Sequence, residues 1–182
     1  MRSLFKIQWL VVLTLMLLPS THANADAFVR IEANGSLITG SESASFTQLG
    51  VQDFAKLQNY TLGLERSISA GGGPATSQLS LTPVTFIKSL GRSSVLLKQA
   101  AAQGQTVTAE IRVFAPNGNT GQQDHVYTLQ IINGQIERIT PWFEETDSGE
   151  TYFESVAIVP NGLIVTHVPT GATTQIQAGG QP

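Results

Sequence analysis

The chain contains no cysteine, so disulfide bonds, thiolate zinc sites and cysteine nucleophiles are excluded. Charged residues are also few, at 13% of the 182 residues against about 25% in an average domain. The 10 Lys and Arg residues form no basic cluster and are outnumbered by 13 acids, which gives a net charge of −3. A mildly acidic chain of this kind is a poor candidate for nucleic-acid binding.

The first 25 residues have the organisation of a cleaved secretory signal peptide: a positive start, an apolar run and small residues at a cleavage site. These parts are Arg2 and Lys6, the run 9–18, Pro19, and Ala23, Ala25 and Asp26 around the scissile bond. The apolar run is shorter than the roughly 20 residues of a membrane-spanning helix, so we expect no stable membrane insertion. We predict an exported protein, either periplasmic or extracellular.

Cleavage between Ala25 and Asp26 would leave 157 residues with a net charge of −5, because Arg2 and Lys6 would be removed. All 17 glycines remain in this part of the chain. The combination of many glycines with few charges indicates a β-rich domain, which we place at residues 26–169. Residues 170–182 lack apolar periodicity and are expected to form a flexible C-terminal tail.

Apolar and polar residues alternate along most of this domain, which is the pattern of half-buried antiparallel strands. In the clearest example, Val107, Ala109, Ile111 and Val113 alternate with polar residues. Similar patterns predict strands near 27–32, 53–68, 79–90, 126–139, 152–159 and 163–168.

A single segment has helical spacing instead. Its apolar side consists of Leu96, Leu97, Ala100 and Ala101. Ser93 or Ser94 is suited to the N-cap and Gly104 to a left-handed C-terminal cap, which predicts a helix over 93–103. Because strands and helices do not alternate, we predict a mainly β fold, an antiparallel two-sheet β-barrel or sandwich with one flanking α-helix.

The histidines and acids match no catalytic or metal-binding motif. Adjacent Asp124 and His125 suggest a catalytic pair, but we interpret them as strand-entry residues after a turn, and His167 as a surface residue. A cluster of acids contains Glu144, Glu145, Asp147, Glu150 and Glu154. Paired acids suit glycoside hydrolysis or a hard cation, yet no calcium-loop pattern is present, so we interpret them as a solvated acidic loop. We expect no enzyme activity, no catalytic residue, no cofactor and no metal.

The segment around the predicted helix resembles the Hcp family, the haemolysin-coregulated proteins that form the tube of type VI secretion. In that family a strand leads into a Ser-rich helix start, two leucine-like residues, small residues, a Gly and a strand ending in a basic residue, as residues 88–112 do here. Further segments that resemble the family in the same order are 27–31, 67–73, 127–131 and 154–158. The resemblance spans roughly residues 27–169.

The resemblance implies a barrel of two sheets with one flanking helix, and self-association into ring hexamers that stack into a tube. It also implies effectors or secretion-apparatus proteins as further partners. Ring-to-ring contact is expected at the glycine-rich loop, with candidate residues Ser69, Gly71, Gly72, Gly73 and Pro74. In the family pattern one strand runs through Asn133–Gly134, so we predict a bulge there instead of the hairpin turn that Asn-Gly favours locally.

The signal peptide departs from the family pattern, because tube subunits assemble in the cytoplasm without one. Our first hypothesis is therefore a non-enzymatic, structural tube subunit that is exported. The alternative is a secreted or periplasmic binding or adhesion module on an Hcp-like barrel. A third hypothesis is a hydrolase that uses the acids between Glu144 and Glu154.

Overall fold

Antiparallel strands make up most of the computed structural model, which describes residues 25–39, 49–66, 79–146 and 149–177. In chain order the strands are β1 Asp26–Ala33, β2 Ser36–Leu37, β3 Ala55–Thr61, β4 Leu64–Arg66, β5 Leu79–Leu81, β6 Val84–Ser89, β7 Thr106–Pro116, β8 Gln123–Thr146, β9 Gly149–Val159, β10 Gly162–His167 and β11 Ala172–Gln177. Helix α1, Arg92–Ala102, lies between β6 and β7, and a 3₁₀ turn spans Val168–Thr170. The predicted mainly β fold with a flanking helix is confirmed.

Six strands close into a barrel in the order β8, β7, β1, β3, β6 and β9, with β9 pairing back to β8. Every pairing in the barrel is antiparallel. Strand β10 also pairs with β8, and β11 extends the sheet outward from β10. Strands β4 and β5 form a separate two-stranded sheet. Closure of the barrel satisfies backbone groups that an open sheet would leave at its edges.

The long strand β8 serves two parts of the barrel, because its first half pairs with β7 and its second half with β9. Between the halves Asn133 has a φ of +50°, and β8 contains one extra residue relative to β7. The strand thus passes through Asn133–Gly134 with a bulge, and the prediction is confirmed. A Cβ at position 134 would lie 2.6 Å from Ile158 Cγ2 and 2.9 Å from Ile131 Cγ2, so any residue larger than glycine would force these neighbours to shift.

Alternating side chains from the barrel strands fill one continuous core. Val107, Ala109 and Ile111 of β7 are buried, whereas Thr106 and Thr108 between them are exposed. The same pattern on the other strands adds Val29, Ile31, Leu57, Val84, Phe86, Leu129, Ile131, Val156 and Ile158. Burial of each large apolar side chain contributes about 1.5–3 kcal/mol, so the alternation determines which face of each strand points inward.

Helix α1 packs on this core through Leu97 and Ala100. Its N-cap is Gly91, and the Gly91 N–H donates a 3.0 Å hydrogen bond to the Ser94 Oγ. The prediction of a serine N-cap is therefore wrong. Ser93 and Ser94 are instead buried within the first turn, and the Ser94 hydroxyl bonds back to the N-cap backbone from there.

The C-terminal end of the helix agrees with the prediction. Gly104 has a φ of +61°, and its N–H donates to the Ala101 carbonyl at 3.1 Å. The N–H of Gln105 donates to the Ala100 carbonyl at 2.9 Å. This pair of hydrogen bonds is the Schellman arrangement, which glycine favours because it adopts the left-handed conformation without strain.

The C-terminal segment is not the flexible tail that its composition predicts. Residues Ala172–Gln177 form β11, which pairs with β10 from His167↔Ala172 to Gly162↔Gln177. Ile176 is partly buried against the core, and the other five side chains are exposed. The strand forms because β10 supplies backbone partners, which a pattern of apolar side chains does not reveal. Residues 178–182 lie outside the described residues.

Candidate functional site

The barrel buries an ion pair beneath α1. Lys88 on β6 and Glu154 on β9 are opposite each other in register, and both side chains are buried. Lys88 Nζ lies 3.2 Å from Glu154 Oε1, and Lys98 Nζ of the helix lies 3.9 Å from Glu154 Oε2. Lys88 Nζ also donates to the Ser94 Oγ at 3.3 Å and to the Ser89 carbonyl at 2.9 Å. These contacts connect the helix to the barrel wall.

Burial decides what this ion pair does. Removing one partner of such a pair costs about 3–5 kcal/mol, because the remaining charge stays in a medium that solvates it poorly. Neither side chain presents an acid or base to a substrate at the surface, so the pair is structural. The acidic-loop interpretation is wrong for Glu154. Glu154 is spaced two residues apart from Val156 and Ile158, which are buried, and this spacing is the sequence signal that the Glu154 side chain points inward.

The predicted ring-contact loop is carried by the β4–β5 sheet. Its candidate residues Ser69, Gly71, Gly72, Gly73 and Pro74 lie outside the described residues. The two strands that flank it pair with the register Leu64↔Leu81, Glu65↔Ser80 and Arg66↔Leu79. Gly63 precedes β4 and Thr82 follows β5. The Thr82 hydroxyl donates a 2.6 Å hydrogen bond to the Gly63 carbonyl, which ties the two strands together where they join the barrel strands β3 and β6.

The predicted cleavage site lies at the start of the barrel. Ala23 falls outside the described residues, whereas Ala25 is exposed and Asp26 is the first residue of β1. Asp26 is opposite Phe114 of β7, and its Oδ1 lies 2.7 Å from Lys56 Nζ. The first barrel strand thus begins directly after the bond at which we predict cleavage.

The predicted acidic cluster is divided by the fold. The exposed acids near the ends of β8 and β9 are Glu144, Glu145 and Glu150. Glu154 is buried farther along β9, and Asp147 lies outside the described residues. Acids on an open strand end and in a sealed interior do not share a cleft, so the hydrolase hypothesis has no support among the described residues.

Asp124 and His125 do not form a catalytic pair. The Asp124 carboxylate accepts a 2.7 Å hydrogen bond from the Asn117 amide, whereas His125 Nε2 lies 2.9 Å from the Thr128 hydroxyl. Both residues belong to the start of β8, as the strand-entry interpretation predicts. His167 is exposed at the end of β10.

A small apolar cluster lies on the outer side of β1 and β7, and the His125 ring stacks against it. Phe28 and Phe114 meet edge to face with ring centroids 5.7 Å apart, and His125 stacks on Phe114 at 5.0 Å. The Arg112 guanidinium lies over the Phe54 ring at 4.7 Å. Burial, and secondly the charge of Arg112, lower the pKa of His125. We did not predict this cluster, because strand alternation places Phe28 and Phe114 on the face opposite the core.

An open polar cleft of about 530 Å³ lies where the β1–β2 turn, the start of β7, the β8 bulge and the β9–β10 turn meet. It is lined by Asn34, Gly35, Thr106, Thr108, Asn133, Gln135 and Asn161. These residues offer hydrogen-bond donors and acceptors but carry no charge. Within the described ranges, no three His, Asp or Glu side chains are grouped as metal ligands.

No helix among the described residues is long and apolar enough to span a membrane. The profile of the family described as type VI secretion system effector, Hcp, matches residues 28–159, which extend from β1 to the end of β9. Among curated proteins, none matches the chain significantly.

Solved structures of Hcp proteins share the fold. The crystal structure of one Hcp protein is 21% identical with a TM-score of 0.73, over 85% of this chain and 99% of the other. A variant of Hcp1 from E. coli EAEC 042 is 18% identical with a TM-score of 0.70, over 84% and 97%. The secreted protein Hcp3 from Pseudomonas aeruginosa is 22% identical with a TM-score of 0.64, over 85% and 99%. With the family match over most of its length, this chain belongs to the Hcp family of type VI secretion proteins, which are structural and secreted.

Proposed function

We propose that the chain is a ring-forming tube subunit of a type VI secretion system, with six copies in each ring. The observation that carries this proposal is the family match over residues 28–159, which includes the six strands of the closed barrel except for the first two residues of β1. A closed barrel with a buried ion pair under its helix is a rigid unit that presents faces to its neighbours. Head-to-tail contacts between such units generate rings when the rotation closes.

Contact between stacked rings is proposed for the loop that contains Ser69, Gly71, Gly72, Gly73 and Pro74. Its support is the short β4–β5 sheet, which is separate from the barrel sheet and holds both ends of this loop together. Effectors or components of the secretion apparatus are the further partners that this function requires.

The proposal includes export by a signal peptide that is cleaved between Ala25 and Asp26. The charged start, the apolar run and the small residues at Ala23 and Ala25 support it. Because β1 starts at Asp26, cleavage leaves every barrel strand intact. The mature chain would then reach the periplasm or the extracellular space.

A second candidate function is a secreted or periplasmic binding or adhesion module that uses the same barrel without forming a tube. The signal peptide favours this function, because a subunit that enters the general export route is separated from a cytoplasmic assembly site. The open polar cleft gives such a module an uncharged surface for hydrogen bonding.

Light scattering coupled to size-exclusion chromatography, with electron microscopy, tests the first function on the chain 26–182. A mass close to six subunits and ring-shaped particles are expected. A monomeric mass at high concentration without rings would contradict the tube function. Intact mass of the protein from cell fractions tests the cleavage: a cytoplasmic protein that keeps residues 1–25 would contradict export by this signal.

A further inference from the structure

The β8–β9 hairpin extends beyond the barrel wall as an arm, defined as residues 143–146 and 149–152. Strand β6 accompanies β9 only as far as Ser89↔Phe153, with one further hydrogen bond from the Leu90 N–H to the Tyr152 carbonyl. Beyond this point β8 and β9 pair with each other alone among the described residues. A two-stranded ribbon has little core of its own, so apolar side chains on it need another surface to bury them.

One face of the arm carries an exposed aromatic pair. Phe143 and Tyr152 are opposite each other, with ring centroids 6.3 Å apart, and they are 63% and 52% exposed. They lie on the same side of the ribbon as Glu154 and Val156, which are buried inside the barrel. The face of β9 that packs inside the barrel thus continues onto the arm, where no other described residue covers it.

The same face carries two carboxylates in an unfavourable arrangement. Glu145 and Glu150 are directly opposite each other on β8 and β9, and both are exposed. Like charges in such a cross-strand pair destabilise the ribbon. The Tyr152 hydroxyl donates to Glu150 at 2.5 Å, but a cation placed over the two carboxylates would relieve the repulsion. We define the arm face as Phe143, Glu145, Glu150 and Tyr152.

The outward side of α1 has the complementary chemistry. Its exposed residues Arg92, Val95, Lys98, Gln99 and Ala102 form the helix stripe. Arg92 lies one turn before Val95, which is 69% exposed, and Lys98, whose Nζ also lies 3.9 Å from the buried Glu154, lies one turn after it. The stripe has no carboxylate. An exposed apolar residue between two cations matches an aromatic pair beside two carboxylates in both polarity and charge.

We propose that the arm face of one copy of this chain docks on the helix stripe of the next copy. Val95 packs against Phe143 and Tyr152, and Arg92 lies over Glu145 and Glu150. The contact joins two different surfaces, so it is head to tail and leaves each copy with one free surface of each kind for further copies. This inference rests on the proposed ring assembly, for which it supplies a specific interface.

Charge reversal on the two faces of the arm tests the contact. Glu145→Arg places a cation on the arm face, whereas Glu144→Arg makes the same change one residue away on the opposite face, beside Trp142. We expect Glu145→Arg to weaken assembly, with a dissociation constant for the assembly that rises at least about tenfold. Glu144→Arg should leave this dissociation constant unchanged. Arg92→Glu should weaken assembly similarly, and the double variant Glu145→Arg/Arg92→Glu should restore it.

Cross-linking tests the contact without relying on rings, because the chain has no cysteine of its own. Phe143→Cys and Val95→Cys variants are treated with a short bis-maleimide, separately and after mixing. A cross-linked dimer is expected only in the mixture. Rings without this cross-link, or equal behaviour of Glu145→Arg and Glu144→Arg, would overturn the arm contact while the tube function stands. A cross-linked dimer from a chain that forms no rings would support the contact and contradict the tube function, and neither cross-link nor rings would refute both.

Discussion

Lys88 and Glu154 are opposite each other on β6 and β9, with their charged atoms 3.2 Å apart and sealed from water. We predict that Glu154→Gln or Lys88→Met lowers the free energy of unfolding by about 3–5 kcal/mol, because each leaves a buried group without its partner. The apolar double variant Lys88→Met/Glu154→Leu should recover most of the loss. Denaturant unfolding of the three variants measures these effects.

The partly exposed pair Lys56–Asp26, whose atoms are 2.7 Å apart, provides the control. Lys56→Met should cost less than about 1 kcal/mol, because water solvates the aspartate that remains. Equal losses for Lys88→Met and Lys56→Met would show that burial of the first pair does not matter for stability.

The bulge in β8 depends on the absence of a side chain at Gly134. A Cβ at this position would lie 2.6 Å from Ile158 Cγ2 and 3.1 Å from the Val159 carbonyl oxygen. We predict that Gly134→Ala destabilises the barrel by about 1–3 kcal/mol through overpacking. Gly118→Ala is the matched control, since a Cβ there meets no atom within 4 Å. Thermal unfolding compares the two, and equal melting temperatures would contradict the tight fit.

The stability of the barrel should depend on pH through His125. Burial and Arg112 lower the pKa of His125 below its ordinary value of 6.5, so the unfolded chain takes up the proton first. The stability that the neutral ring contributes is therefore present above about pH 6.5 and is lost as the pH falls through the folded pKa. Unfolding measured from about pH 7.5 to about pH 5 should show this loss in the wild type and less of it in His125→Asn.

Arg112→Met tests the second cause separately, because it removes the charge that disfavours protonation of His125. NMR titration should then give a higher pKa for His125 than in the wild type. An unchanged value, with Phe54 and Phe114 still packed, would assign the whole effect to burial.

The pairing of β11 with β10 should protect the C-terminal segment from exchange with solvent. We predict slow amide hydrogen exchange at the bonded positions of 172–177, and a loss of about 1–2 kcal/mol in Ile176→Ala, whose side chain packs on the core. Thr174→Ala, with an exposed side chain on the same strand, should change stability little. Exchange at the rate of an unstructured peptide would contradict the pairing of β11 and would support the flexible tail that the composition predicts.

Alternation of apolar residues located the barrel strands β1, β7, β8 and β9. The runs near 53–68 and 79–90, each predicted as one strand, are divided in the structure into β3 and β4 and into β5 and β6. Val107, Ala109 and Ile111 are buried as their spacing predicts, and Gly104 ends the helix where its freedom of φ is needed. The family pattern further indicated the bulge at Asn133, which local turn preferences oppose. These features were accessible because each depends on residues close together in the chain or on an ordered set of motifs.

Three features were decided only when distant segments met. In the sequence Glu154 belongs to an acidic run, whereas the pairing of β6 with β9 places it opposite Lys88. Phe28 and Phe114 meet in the outer cluster because β1 pairs with β7. Strand β11 depends on backbone groups of β10, which side-chain patterns do not report. The sequence by itself determined which face of each strand is apolar, the position of the helix and the family to which they belong. The tertiary structure decided what covers each face, because ion pairing, aromatic stacking and edge pairing depend on partners that only the closed barrel brings together.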